Sequence, residues 1–504
     1  MTESPTAGPS SLTARTVRGA AWTLSTSLVS RVIGMVGTFV LARYLVPAEY
    51  GDVTAAMIVT LSAFSITSLG VGIYLISTPE LGRDDVFHAT CWFLATGVAA
   101  LGVAWALAGP LGAWFEAPGL VRYMPIFVAS ALLDRIAFVP ERMLIRKLRF
   151  RWISLSRAAG ELVFTALSLT LAARGFGAMS IAWANLARAA LRTAAIVPAV
   201  PWRDWIEPHR LRLAALRPIV RYGTGVSVGS IATSMMRRWD NLLVSRYFGN
   251  AVMGAYNYAY SIADTPAVAI GEQMSDVVAA AFPQAEGAKR QAALVRACTM
   301  ISLVMFPLAF GLGAVSGTVV DAFFNRRWAG VGPMLMFLSI LSAPRPMAQI
   351  IQSYLYAGGR IRVVVWLEWL SFGALMAAIA VFGATLGGGG GGGADGTAIL
   401  WTCGAVGAVF VLRTLALLWV VKRMDGVPLR RFLLPLLRPL IACAAMVAVI
   451  AAARPQLHAL APITRLAIEI GLGAAVYLIG ARLIFRDAAV DFLALIRSSV
   501  SRRR

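Results

Sequence analysis

A dozen charged side chains in this chain fall within or at the ends of long apolar stretches: Arg31, Asp134, Arg135, Arg188, Arg192, Arg237, Arg238, Asp240, Asp264, Glu272, Arg345 and Glu368. A guanidinium carries five donors in a planar fork that grips phosphate or carboxylate through two bonds at once. A carboxylate in the same surroundings can hold a cation or carry a proton. Facing hydrocarbon at mid-helix, any of them costs at least about 2.5–3.5 kcal/mol, so each should meet a partner or line a cavity. Cysteine chemistry is not indicated: Cys91, Cys298, Cys403 and Cys443 all lie in apolar stretches, far apart and without metal-ligand spacing, and read as small buried residues.

The elements that must position these charges follow from composition. Across 504 residues, 59% are apolar, 14% are charged and mean hydropathy is +0.73, more apolar surface than a soluble protein of this size could hide. The net charge of +22 would suggest nucleic acid in a water-soluble chain. That reading fails because the basic residues lie between apolar stretches of about 20 residues, the length that spans a bilayer as a helix. No nucleic-acid partner is expected, and the partners are membrane lipids and a membrane-borne substrate. Residues 1–16 are polar with no apolar signal core and read as a disordered tail.

Punctuation by Gly, Pro and charge predicts an all-α integral membrane protein of about fourteen helices. Their extents are 17–42, 52–76, 86–109, 120–140, 153–173, 177–199, 218–244, 251–275, 292–316, 331–356, 363–385, 397–421, 434–453 and 462–484. With both termini in the cytoplasm, 27 of the 46 Lys and Arg fall in inner loops and tails, six fall outside, and thirteen lie in or at the edges of spans. That bias matches the excess of basic residues in cytoplasmic loops. Arg142 and Arg146 count among the inner-loop markers. The linker 201–217 has the spacing of an interfacial helix. The glycine run Gly387–Gly393 reads as a flexible outer linker.

A shift of 203 residues superimposes Val17, Arg18, Ser27, Arg43, Tyr44, Ala48, Gly51 and Ala56 on Val220, Arg221, Ser230, Arg246, Tyr247, Ala251, Gly254 and Ala259. Six helices separate the copies, so the chain reads as two parallel six-helix repeats. Their bounds are 17–200 and 218–421, with two further helices over 434–484 and a basic tail over 485–504. Parallel repeats of this kind build alternating-access transporters whose substrate site lies between the halves.

Depth sorts the charges. Arg31 lies fourteen residues into the first helix, about 21 Å along it. Asp264 is similarly deep and precedes Pro266, which is expected to break its helix. Arg345, between Pro344 and Pro346, is expected to interrupt the tenth. Asp134 and Arg135 share the fourth helix, Arg188 and Arg192 one face of the sixth. Arg157 and Glu161, at i,i+4 on the fifth, are expected to pair with each other. Arg237, Arg238 and Asp240 should form a water-exposed cluster near the outer end of the seventh. For each, the alternative is an ion pair that fixes helix packing. Arg31, Asp134, Arg135, Arg188, Arg192, Arg237, Arg238, Asp240 and Arg345 are the candidate substrate-binding residues, for an anion. Asp264, Glu272 and Glu368 are candidates for coupling to a proton or sodium gradient. Movement driven by membrane potential needs no such group.

Several stretches resemble a known family: RGAAWTLSTSLVSRVIGMVGTFVLARYLVPAEYG at 18–51, GFGAMSIAWANL at 175–186, LRPIVRYGTG at 216–225 and WDNLLVSRYFGNAVMGAYNYAYSIADTP at 239–266, followed by AFPQ at 281–284, Trp328 and YLYAGGR at 354–360. They are spread over most of the chain and keep their order. The chain looks like the Wzx-type polysaccharide flippases, a branch of the superfamily that also holds MATE multidrug exporters and lipid II flippases. The resemblance implies a MATE-like fold and no enzyme. It also implies translocation of an undecaprenyl-pyrophosphate-linked oligosaccharide across the bacterial inner membrane for exopolysaccharide, capsule or O-antigen assembly, alongside the polysaccharide polymerase machinery. It supports the Asp240 neighbourhood alone; the other site residues rest on depth. A MATE-like exporter of organic cations should have twelve helices and a carboxylate in the first, where this chain has Arg31. A membrane polymerase or glycosyltransferase should show a large loop with acid/base residues, and none is present in the sequence.

Overall fold

The computed structural model describes residues 33–34, 36–68, 70–78, 80–212, 215–282, 287–386, 396–484. It is helical throughout, as a bilayer demands of any chain that must satisfy its own backbone donors and acceptors. Among the described residues ten helices are long and apolar enough to cross a membrane. The chain divides into two compact units, Met1–Arg238 and Trp239–Arg504.

In the first unit a helix ending at residue 41 is followed by α1 (Pro47–Ser68), α2 (Val71–Ser77), α3 (Arg83–Ala106), α4 (Ala108–Trp114), α5 (Leu120–Arg146), α6 (Phe150–Ala173), α7 (Met179–Ile196) and α8 (Leu216–Met236). Gly70, at φ 71°, takes the left-handed conformation that splits α1 from α2, which the sequence joins as one span. α5 packs against α1, α3 and α7, and α6 packs along α7. An apolar cluster that includes Val71, Leu75, Phe93, Met143 and Ile196 closes one end of the unit.

The linker expected as an interfacial helix over 201–217 is instead a single 3-10 turn, Trp202–Asp204, followed by irregular chain to residue 212. Pro208 explains the difference, since it has no N–H to give an α-helix at its centre. The segment is tied down by side chains. Thr90 donates to the carbonyl of Trp205 at 2.8 Å, the Arg212 N–H donates to Nε2 of the buried His88 at 2.9 Å, and Lys147 pairs with Asp204 at 2.5 Å.

The second unit holds α9 (Trp239–Phe248), α10 (Asn250–Ala281), α11 (Gly287–Ala314), α12 (Ser316–Phe323), α13 (Val331–Ser342), α14 (Arg345–Ala357), α15 (Ile361–Leu386), α16 (Gly396–Asp425), α17 (Arg430–Leu457) and α18 (Pro462–Ile484). α10 packs on α13 and α14, α16 on α15 and α13, and α17 on α11 and α18. Two expectations about proline come out differently. The tenth span does break, into α13 and α14 on either side of Pro344, but α10 runs unbroken through Pro266. The two aligned hairpins are alike in local structure. In both copies a helix ends around an Arg-Tyr pair (Arg43-Tyr44, Arg246-Tyr247) and turns into a helix whose aligned alanines, Ala56 and Ala259, are fully buried.

The last two helices are fastened by a buried ion cluster. Glu469 of α18, with no exposed surface, accepts from Arg465 at 3.2 Å and forms an ion pair with Arg454 of α17 at 3.5 Å. Arg454 also caps the carbonyl of Ala314 in α11, and the Tyr477 hydroxyl donates to the carbonyl of Leu303 at 2.8 Å. The cysteines form no disulfide; Cys298, Cys403 and Cys443 are buried and Cys91 half-buried.

Candidate functional site

In the first unit the fourth-, fifth- and sixth-span charges meet around a cavity of about 270 Å³ lined by Asp134, Arg142, Asn185, Arg188 and Arg192 against Phe64, Phe127 and Phe138. Asp134 and Arg142 are eight residues apart on α5, with Phe138 between them, so all three lie along one face of that helix. Arg192 spans two carboxylates, Asp134 at 2.8 Å and Glu141, which has almost no exposed surface. Glu141 also takes Arg157 at 2.5 Å. The expected Arg157–Glu161 pair is therefore not formed: Glu161 faces Arg188 at 3.7 Å, while Arg157 reaches across to α5. Tertiary partners win because a buried carboxylate on the neighbouring helix is worth more to a guanidinium than a half-exposed one a turn away. Arg188 also donates to Asn185, whose amide donates to Ser130 at 2.7 Å, and lies over the ring of Phe164.

Arg135 points elsewhere. One residue on from Asp134, it is turned by about 100° around α5 and is buried between the rings of Phe64 and Phe93, at 4.8 and 4.6 Å. Its donors go to the carbonyl of Phe93 at 2.8 Å, to those of Ala63 and Phe64, and to the Thr67 hydroxyl. It stands outside the cavity lining. Gly97 of α3 makes room for it, since a Cβ there would overlap the guanidinium. Gly97→Ala is expected to displace Arg135 from its carbonyls and lower stability by about 1–3 kcal/mol, read as a drop in the thermal midpoint of detergent-purified protein. An unchanged midpoint would contradict that account.

The second unit gathers a separate set of groups. Asp240 is completely buried, not part of the water-exposed cluster its sequence position suggests. The chain leaves the preceding helix before Trp239 and starts α9 there, which turns Asp240 inward. Its carboxylate accepts from the Tyr256 hydroxyl at 2.9 Å and from Asn241 at 3.0 Å, and Asn257 continues the chain of bonds to Asn241 at 3.0 Å. Arg345, at the start of α14, pairs with Asp264 at 2.6 Å and is held between the faces of Tyr260 and Phe410, at 4.6 and 3.8 Å. Tyr256 and Tyr260, one turn apart on α10 with ring centroids at 6.0 Å, join the two pairs into one polar seam.

Glu368 belongs to neither group. It is buried, paired with Arg413 of α16 and bonded by the amide of Gln352. Asp425, at the end of α16, takes both terminal nitrogens of Arg360, at 2.7 and 2.8 Å, with the Tyr354 hydroxyl at 2.9 Å. Arg237 and Arg238 are half-buried. Arg31 lies outside the described residues, and Glu272 falls within α10, beyond Asp264. Sequence depth alone passes over Glu141, Asn185, Tyr256 and Arg142. The spacing of four between Asp134, Phe138 and Arg142 is the signal that could have placed Arg142 on the cavity face.

Comparison with known proteins gives the arrangement a family. Residues 40–333 match the model of a family described as "Polysaccharide biosynthesis protein". The succinoglycan biosynthesis transport protein ExoT of Rhizobium meliloti (strain 1021) is 27% identical, over 83% of this chain and 84% of that protein. The lipopolysaccharide biosynthesis protein WzxC of Escherichia coli (strain K12) is 22% identical, over 85% of each. Among solved structures the fold is similar to that of the lipid II flippase MurJ in an inward closed conformation, with TM-score 0.76 and 15% identity over 92% of this chain and 99% of that one. With the family model covering more than half of it, the chain belongs to the polysaccharide biosynthesis protein family.

Proposed function

We propose that the protein is a flippase that moves a lipid-linked oligosaccharide across the bacterial inner membrane for surface polysaccharide assembly, without changing it covalently. The carrier expected from the resemblance is undecaprenyl pyrophosphate. The observation that carries the reading is the apolar helical setting of two separate arginine–carboxylate groups, around Arg192 and around Arg345, in a chain of this family. Such groups suit a hydrophilic anionic head group that must leave water while its lipid tail stays in the bilayer. The excess of Lys and Arg in alternate loops supports a multi-pass arrangement with both termini cytoplasmic. Alternate exposure of the head group to the two faces would complete the cycle. Handing the product to a polymerase on the far side belongs to the same proposal.

Deleting the gene in its own host is expected to abolish one surface polysaccharide and to leave lipid-linked oligosaccharide accumulated on the cytoplasmic face. Lipid extraction followed by mass spectrometry checks both. Polysaccharide at its ordinary level would overturn the proposal.

A further inference from the structure

We infer that Arg142 is the group that receives an oxyanion of the transported head group in the first unit. The inference rests on the flippase reading and assigns within it a residue that sequence pattern places among the topology markers. The arginines around the cavity are not equivalent. Arg192 has both terminal nitrogens committed, to Asp134 and to Glu141, and Arg157 is committed to Glu141. Arg188 is shared between Asn185 and Glu161. Arg142 lines the same cavity with none of these bonds. Among the described residues its close partner is the face of Phe138 at 4.6 Å, and its Nε is buried with no hydrogen-bond partner.

The charge count agrees. Among the described residues, Arg142, Arg157, Arg188 and Arg192 face Asp134, Glu141 and Glu161, which leaves one guanidinium in excess. Arg135, behind the Phe64 wall, adds a second positive charge, but both its terminal nitrogens are spent on carbonyls and the Thr67 hydroxyl, so it contributes field rather than a free fork. An oxyanion arriving at Arg142 gains a two-pronged donor without breaking an ion pair. One arriving at Arg192 would have to displace the buried Glu141.

Placement supports the role. Arg142 also lines an adjoining cavity of about 240 Å³, beside Ser65, Ser68, Gly72 and Ser234. A Cβ on Gly72 would lie 3.1 Å from Arg142 Nε and 2.8 Å from Phe138 Cζ, so the absent side chain keeps that flank of the guanidinium open. The serines beside it suit sugar hydroxyls next to the charged group. Arg142 is one turn from the end of α5 at Arg146, near the mouth of the span and not at its centre. That is where a head group arriving from the adjoining aqueous side is met first. The shared chemistry is an oxyanion, either a phosphate of the lipid diphosphate or a carboxylate of an acidic sugar.

The test is binding to the purified full chain in phosphatidylcholine nanodiscs, titrated with inorganic pyrophosphate, glucuronate and glucose, and read by calorimetry and thermal midpoint. The wild type is expected to bind pyrophosphate or glucuronate saturably and not glucose, and the probe that binds identifies the source of the oxyanion. Arg142→Gln is expected to weaken that binding at least about tenfold, the worth of one charge-assisted hydrogen-bonded contact, with partial recovery in Arg142→Lys. Arg203→Gln, on the exposed linker, should bind as the wild type does. The inference is overturned if Arg142→Gln keeps wild-type affinity, if Arg203→Gln loses as much, or if the wild type binds neither anion. Should Arg142→Gln fail to fold, Arg142→Lys decides, because lysine keeps the charge without the fork and an undiminished affinity would be fatal. Binding needs no transport. A chain that binds through Arg142 yet does not restore polysaccharide keeps this inference and defeats the flippase reading alone.

Discussion

Arg345→Ala should eliminate polysaccharide production in a strain whose own copy of the gene is deleted, and should destabilise the purified protein by about 3–5 kcal/mol, the usual cost of stripping one partner from a buried ion pair. Both effects have the same origin. Arg345 is mostly enclosed, clamped between the rings of Tyr260 and Phe410, and pairs with Asp264 at 2.6 Å. Removing it leaves the Asp264 carboxylate mostly buried in that polar seam, with no other ion-pair partner among the described residues. The double variant Arg345→Gln with Asp264→Asn separates the two effects, because it removes both charges while keeping polar atoms of similar size. Its thermal midpoint is expected to return most of the way to that of the wild type while polysaccharide stays absent. Polysaccharide restored by the double variant would show the pair to be packing alone and would remove it from the substrate path.

A second large effect is expected at Glu141. This carboxylate has almost no exposed surface and neutralises Arg157 and Arg192 together, tying α5 to α6 and α7. Glu141→Gln leaves two guanidiniums facing a neutral amide, with Asp134 as the remaining counter-charge on Arg192. A loss of about 3–5 kcal/mol follows, seen as a fall in monodisperse protein after detergent extraction and in its midpoint. Glu141→Leu combined with Arg192→Met should recover part of that loss, since the most buried pair becomes apolar while Asp134 and the exposed Arg157, which lose a partner each, keep access to water. If Glu141→Gln extracts and melts like the wild type, the carboxylate is not the keystone that its burial implies.

The contrast between these residues and their sequence neighbours shows what was legible. Hydropathy gave the helical membrane class, and the 203-residue shift gave the Arg-Tyr hairpins at 43–44 and 246–247, because both are one-dimensional signals. Depth picked out Asp134, Arg192, Asp264 and Arg345, because the cost of burying charge acts whatever the partner is. Partner choice was not legible. Arg157 and Glu161 look paired by the helical i,i+4 rule yet each bonds to another helix, and only the packing of α5, α6 and α7 decides that. Asp134 and Arg135 are adjacent in sequence but point to different places, one to the cavity and one into the protein, because a single step around the helix separates them. Pro266 and Pro344 carry the same letter with different outcomes. One helix absorbs a missing N–H while the other ends beside a second proline.

The burial of Arg135 bears on how the first unit can change shape. Its guanidinium draws carbonyls from residues 63 and 64 of α1 and residue 93 of α3 while its backbone stays in α5, and the ring of Phe64 closes over it. Sliding any one of the three helices along the others would strand several donors at once in a setting with no water to replace them. The side chain therefore works as a rivet. Deformation in this unit is left to places the rivet does not reach, such as the left-handed Gly70 between α1 and α2. A spin-label pair across α1 and α3 should keep its distance through the transport cycle, while one across Gly70 should not.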